Sequence, residues 1–212
     1  AAGIGRLARE APETSIKVWT ALPPSAAKGM ALSALVSEWP VKEALTPLLK
    51  VFESLEFPEE QHAFRMGFEN RLRQLSESEL KRAMETTGHL PLLKSAVEKA
   101  MGEAIGASLS ATELLKREGP AADLQDVGWR AAIERTANER PWEVAAAVTT
   151  SDDLDSLGPT AMHLVSLLTG TDPQRTARWI EGLPQGITTD RLAYVMMSRW
   201  LGENPQAASS YA

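Results

Sequence analysis

Apolar and polar positions along this chain recur at the three- and four-residue steps of helices that bury one side, and the clearest case lies between Asp172 and Trp200. There Leu192, Val195, Met196 and Trp200 fall on a single stripe, which predicts an amphipathic helix. Ahead of it, Asp172-Pro173 opens a shorter helical run through Ala177 and Trp179. Proline loses nothing in a first helical turn, where its missing N–H has no partner, and Asp172 accepts from the amides left over. Leu183-Pro184 closes that run, because the proline ring fixes φ and restricts the residue before it, and Thr188 or Thr189 caps the next helix. The stretch is therefore one helical hairpin, and its apolar stripe needs a neighbour to cover it.

The unit recurs. Pro141, Pro173 and Pro205 stand at equal intervals, and alanine follows three or four positions later at Ala145, Ala177 and Ala208. A shift by five such intervals lays Pro12 on Pro173, Leu22-Pro23 on Leu183-Pro184 and Trp39 on Trp200 without a gap. Between these ends the period is carried by helix punctuation. Ser76-Glu77-Ser78-Glu79 and Ser110-Ala111-Thr112-Glu113 have capping-box spacing, in which the serine and the glutamate satisfy each other's exposed amides. The expected first helices of the pairs run over 12–21, 41–54, 77–87, 110–118, 141–149 and 173–182, with a stub from 205. The second helices run over 25–38, 58–75, 91–106, 121–138, 159–169 and 189–202, and 1–10 reads as the tail of an earlier one. Of the 13 prolines only Pro47 falls inside an expected helix, where it would split or kink it. The fold class is thus all-α, an α-solenoid of about six hairpins with a period of about 32 residues; the alternative is an irregular helical bundle.

Composition agrees with a helical protein, since alanine and leucine dominate the apolar set and no strand-like alternation stands out. The 212 residues suffice for a substantial core and read as a single repeat domain, 1–212. A formal charge of −6 and an isoelectric point near 5.2 argue against nucleic acid as a partner, which requires a basic face. No apolar run has the length of a membrane span. Without cysteine there is neither a disulfide framework nor a thiolate metal site, and the compartment stays open between cytoplasmic and exported.

The word Asp172-Pro173-x-x-x-Ala177-x-Trp179, followed by Leu183-Pro184 and closed by Trp200 and Asn204-Pro205, resembles the tetratricopeptide-like α-solenoids. It is also similar to bacterial helical-repeat proteins that carry W-x-x-x-L-P and D-P-x-x-A words. The resemblance covers 12–39 and 141–211. The chain departs from it in its shorter period, about 32 against about 34, in Leu183-Pro184 where the family has Leu-Gly, and in middle units without the tryptophan. The resemblance implies a scaffold that holds partner proteins or peptides on an extended face; it transfers no binding residue.

Reactive constellations are sparse. Glu59-x-x-His62 places a carboxylate and an imidazole on one helix face, as in carboxylate-bridged metal bundles, but its only companion is the differently spaced Glu85 and His89. A solvated first helical turn is the better reading. Asp152-Asp153-Leu154-Asp155 lacks the glycine and terminal glutamate of a calcium loop and reads as a connector. Gly3-x-Gly5 has no preceding strand, and no serine sits in a nucleophile-elbow setting. No cofactor or metal is therefore expected. The densest basic group is Arg65, Arg71, Arg73, Lys81 and Arg82; interleaved Glu69, Glu77 and Glu79 make it a salt-bridged face, with contact to an acidic peptide as the second reading. Of the six tryptophans, Trp19, Trp142 and Trp179 fall in first helices and Trp39, Trp129 and Trp200 in second ones, positions that suit packing between layers. Trp142, out of register with Trp179, is the exception and the candidate anchor for a partner, beside Arg65, Arg71 and Arg73.

These features predict a protein- or peptide-binding scaffold. An enzyme using scattered carboxylates such as Glu59, Asp152 and Asp153, or a structural spacer, are the other readings. The ends, a helix tail and a helix stub, predict a longer repeat protein or end-to-end self-association.

Overall fold

The structure, a computed structural model, describes residues 2–41, 43–124, 126–150 and 154–211. The described residues form fourteen α-helices and one 3-10 turn, with no strand among them. In chain order these are α1 (Ala2–Glu10), α2 (Pro12–Thr20), α3 (Ala26–Ser37), α4 (Thr46–Glu53), α5 (Pro58–Leu72), α6 (Glu77–Thr87) and α7 (Pro91–Ser108). Then come α8 (Ala111–Leu115), the 3-10 turn Gly119–Asp123, α9 (Asp126–Glu139), α10 (Pro141–Thr149), α11 (Leu154–Thr171), α12 (Pro173–Glu181), α13 (Ile187–Glu203) and α14 (Pro205–Tyr211). Six helices begin on the expected prolines, at 12, 58, 91, 141, 173 and 205, and both capping boxes form.

Several boundaries differ from expectation. Pro47 does not break a helix, because α4 begins only at Thr46 and the proline occupies its first turn; residues 40, 41 and 43–45 are not helical. The helix expected over 121–138 starts at Asp126, since Arg117 and Gly119 adopt left-handed φ of 52° and 56° and the chain turns there before Pro120. One turn of helix precedes Pro159, and Gly158, at φ 42° and ψ −118°, bends α11 between the two parts. Trp39 lies just past α3, beyond the C-cap at Glu38.

The chain divides into two compact units, 1–101 and 102–212, and the division falls inside α7. In the first, α3 packs against α1 and α5, with α2 beside α1 and α3. Its core is centred on Leu32, Leu35, Leu48, Phe64, Phe68 and Leu72, all essentially inaccessible. Glycine sets the helix separation: a Cβ at Gly67 would overlap the Ser33 carbonyl oxygen and lie 3.0 Å from the carbonyl carbon and Cα of Ser33. Only hydrogen at that position lets the α5 backbone approach α3 so closely.

The second unit uses the same device. A Cβ at Gly106 would lie 2.8 Å from the Cα of Ala132, and one at Gly102 2.6 Å from the carbonyl carbon of Gly128, which presses the end of α7 onto α9. Farther on, α11 packs against α9 and α13, α10 against α8, α9 and α11, and α14 against α13. Side-chain hydrogen bonds connect helices 30 to 34 residues apart in the chain. Trp179 Nε1 on α12 donates to the Ala145 carbonyl on α10 (3.0 Å, 34 residues), Glu143 on α10 accepts from the Ala111 amide that opens α8 (2.9 Å, 32 residues), and the Tyr211 hydroxyl on α14 donates to Glu181 on α12 (2.8 Å, 30 residues).

Candidate binding clefts

In the first unit, α2, α4 and α6 leave open space where α1, α3 and α5 pack closely. A groove of about 610 Å³ lies between α2 and α4, and a cleft of about 580 Å³ between the start of α4, the end of α5 and α6. Thr46 lines both. Each volume lies in the range of sites that hold a small ligand or a few side chains, roughly 300–1,000 Å³.

The groove is built on Trp19. Its ring is buried, and its Nε1 donates to the Lys28 carbonyl at 3.1 Å, which fixes the indole at the turn between α2 and α3. Lys28 Nζ lies 4.9 Å from the ring centroid and 3.8 Å from Glu60, with both charged side chains less than one fifth exposed. Lys28 is thereby held by a quadrupole and a carboxylate together. Ile16, Pro47 and Val51 complete an apolar wall, and Lys17 and Lys50 are exposed at the rim with Glu13.

The cleft is built on Arg71. The stripe that buries Phe64, Phe68 and Leu72 also carries Arg71 inward, to 2% exposure. Its Nε and Nη2 donate to the carbonyls of Trp39 and Pro40 at 3.1 and 2.9 Å, capping the chain as it leaves α3. Burial pulls the guanidinium below its ordinary range, against the opposing field of Glu79. No carboxylate among the described residues lies within ion-pair distance of Arg71. The Glu79 carboxylate is committed to the Ser76 amide and hydroxyl at 2.7 and 2.6 Å, which hold it below the usual carboxylate range. Trp39 Nε1 donates to the Ala44 carbonyl at 3.3 Å and so anchors the irregular segment that forms the rim.

The four sequence candidates fall in both units, the three arginines in the first and Trp142 in the second. Arg71 is no surface group: it is buried and spends two donors on backbone carbonyls, so the view of it as part of an exposed basic face is corrected. Arg65 is half-buried beside Glu69 at 3.4 Å, and Arg73 is exposed and donates to Asn70 at 3.2 Å. Trp142, in the second unit, is half-buried on α10 under the Arg175 guanidinium, 3.9 Å from the ring centroid. Among the other tryptophans, Trp19, Trp39, Trp129 and Trp200 are buried, and Trp179 is half-buried with two acceptors.

Glu59 and His62 are both exposed on the first turn of α5, and His89 faces Glu53 at 3.1 Å rather than Glu85. Among the described residues no group of three or more potential ligands is placed to hold a metal, and no helix is long and apolar enough to cross a membrane. Asp152 and Asp153 lie outside the described residues. Sequence reasoning missed Trp19, Lys28 and Thr46 as site residues. A signal for Lys28 was present in the opposite charge of Glu60, about one expected period further along the chain. The class defined by these observations is an all-α protein with open clefts along one set of its helices. No family model, no curated protein and no solved structure matches the chain.

Proposed function

We propose that this chain is a protein- or peptide-binding scaffold made of helical hairpins stacked in series, a tetratricopeptide-like α-solenoid of somewhat shortened period, and that its role is not catalytic. The single observation that carries the reading is the pair of clefts on either side of α4, of about 580 and 610 Å³, each lined by residues of successive first helices. Stacked hairpins generate such clefts whenever one set of helices packs tightly and the other is spread apart. The tight set is held by Gly67 on Ser33 in one unit and Gly106 on Ala132 in the other. The serial stacking is supported by hydrogen bonds that span 30 to 34 residues.

The test uses selection from a random peptide library on the purified chain, with affinities then measured for the wild type and Thr46→Trp. Thr46 is exposed and lines both clefts, so an indole there fills space without disturbing the core. Selected peptides are expected to bind the wild type and lose at least about tenfold in Thr46→Trp, the equivalent of about 1.4 kcal/mol of contact. Failure to enrich any peptide, or equal binding by the variant, would overturn the assignment.

A further inference from the structure

We propose that the cleft between the start of α4 and α6 recognises a carboxylate side chain of an acidic peptide, with Arg71 at its floor and Arg82 at its mouth. The inference rests on the scaffold reading and names the chemistry of its partner.

The first step is the state of Arg71. A buried guanidinium is costly unless its charge and its donors are met. Here the two acceptors are neutral carbonyls, on Nε and Nη2, and Nη1 has no hydrogen-bond partner among the described residues. Arg71 is buried yet lines the cleft. The edge that the two carbonyls do not occupy is the one left to border that space. An oxyanion arriving there would take the charge-assisted bonds that the fold leaves unmade.

The second step concerns the surroundings. Arg82 lies one turn beyond Glu79 on α6 and is exposed at the same cleft. The opening turn of α4 borders it through Leu45 and Thr46, and no side chain caps that helix. Glu43 and Glu79 also line the space, so two arginines face two glutamates. That balance decides the class of anion. A singly charged carboxylate gains the same Arg71 donors and is repelled less by the two glutamates than a dianionic phosphate would be. Over residues 1–101 the chain carries 13 basic and 13 acidic residues, against 9 and 15 over 102–212. An acidic peptide thus meets no net repulsion in the half that holds the cleft. The peptide backbone has a place to continue, because the groove beyond α4 presents Lys17 and Lys50 over Trp19 and Val51.

The test is a titration of the purified chain with the dipeptide Ac-Glu-Glu-NH2 and, separately, Ac-Gln-Gln-NH2 and inorganic phosphate. NMR follows the Nε–H of Arg71 and the indole N–H of Trp39, whose acceptor Ala44 sits on the rim. The glutamyl dipeptide is expected to shift both signals saturably, with phosphate weaker and the glutaminyl form silent. Arg82→Gln, an exposed position, should weaken the response about tenfold, the value of one hydrogen bond to a charged group, while Glu43→Gln should strengthen it. Equal response to both dipeptides, stronger binding of phosphate, no saturable shift, or an unchanged Arg82→Gln would each overturn the proposal. Library peptides that still bind in a Thr46-dependent way would then leave the scaffold reading standing; loss of both sets of results would remove the two together.

Discussion

At the scale of single residues, glycine and tryptophan define how closely the helices meet. Alanine normally stabilises a helix interior over glycine by about 1 kcal/mol. At Gly67 and Gly106 the sign should reverse, because the new methyl would meet backbone atoms of Ser33 and Ala132, which cannot rotate away. Gly67→Ala and Gly106→Ala are expected to cost about 2 kcal/mol each, in the range of overpacked cores, whereas Gly202→Ala, with nothing within 4 Å, should be neutral or stabilising. Urea denaturation of the three variants checks this; equal midpoints would show that the helices separate freely. Trp39 and Trp200 are each 3% exposed, so truncation to alanine should remove about 3–5 kcal/mol, and a loss below about 1 kcal/mol would place them outside the core. Their burial was legible from the five-period shift that superposes them. The glycine contacts were not, since a close approach depends on the facing helix and leaves no mark on local periodicity. Arg71 was misjudged for a related reason. Its neighbours in sequence, Arg65 and Arg73, suggest a basic surface, but its spacing from Phe64 and Phe68 puts it on the apolar stripe.

At the scale of elements, proline and capping boxes announced most helix starts because their chemistry is local. The Ser76–Glu79 and Ser110–Glu113 boxes are both formed, and in each the serine amide and hydroxyl hold the glutamate below its ordinary value of 4.5. A carboxylate depressed in the folded state adds stability that is fully present above its unfolded value and is lost as pH falls through the folded one. Stability measured from about pH 6 to about pH 3 should therefore decline, and decline less steeply in the double variant Glu79→Gln, Glu113→Gln. Parallel profiles for the two proteins would remove the boxes from the acid response. The segments that sequence did not resolve, 43–45 and 116–124, depend on contacts across the fold. Arg117 takes a left-handed φ of 52° while its guanidinium lies 4.4 Å from the Trp129 ring centroid and meets Asp126 at 3.0 Å. Nothing in Lys116-Arg117-Glu118, all good helix formers, declares such a turn.

At the scale of the molecule, the question is what covers the far side of α13. Leu192, Met196 and Trp200 form its buried face. Ile187, Tyr194 and Leu201, at seven-residue steps, form a second apolar stripe that is 74%, 74% and 42% exposed. In the same unit α11 meets α9, α10, α12 and α13, whereas α13 meets α11, α12 and α14. A stripe spaced 187, 194 and 201 is symmetric about Tyr194, so an antiparallel second copy would set Ile187 against Leu201 and Tyr194 against Tyr194. Such a face is self-complementary, as a two-fold contact requires. The excess of acidic over basic residues across 102–212 opposes it at long range, an effect that salt screens within about 10 Å at 0.1 M. The expected behaviour is therefore a reversible dimer that strengthens with both protein concentration and ionic strength, seen by sedimentation velocity. Tyr194→Lys should leave the fold intact, since the side chain is exposed, and shift the equilibrium to monomer. A single monomeric species at every concentration and salt level, or a dimer indifferent to Tyr194→Lys, would show that this stripe does not mate with its own kind.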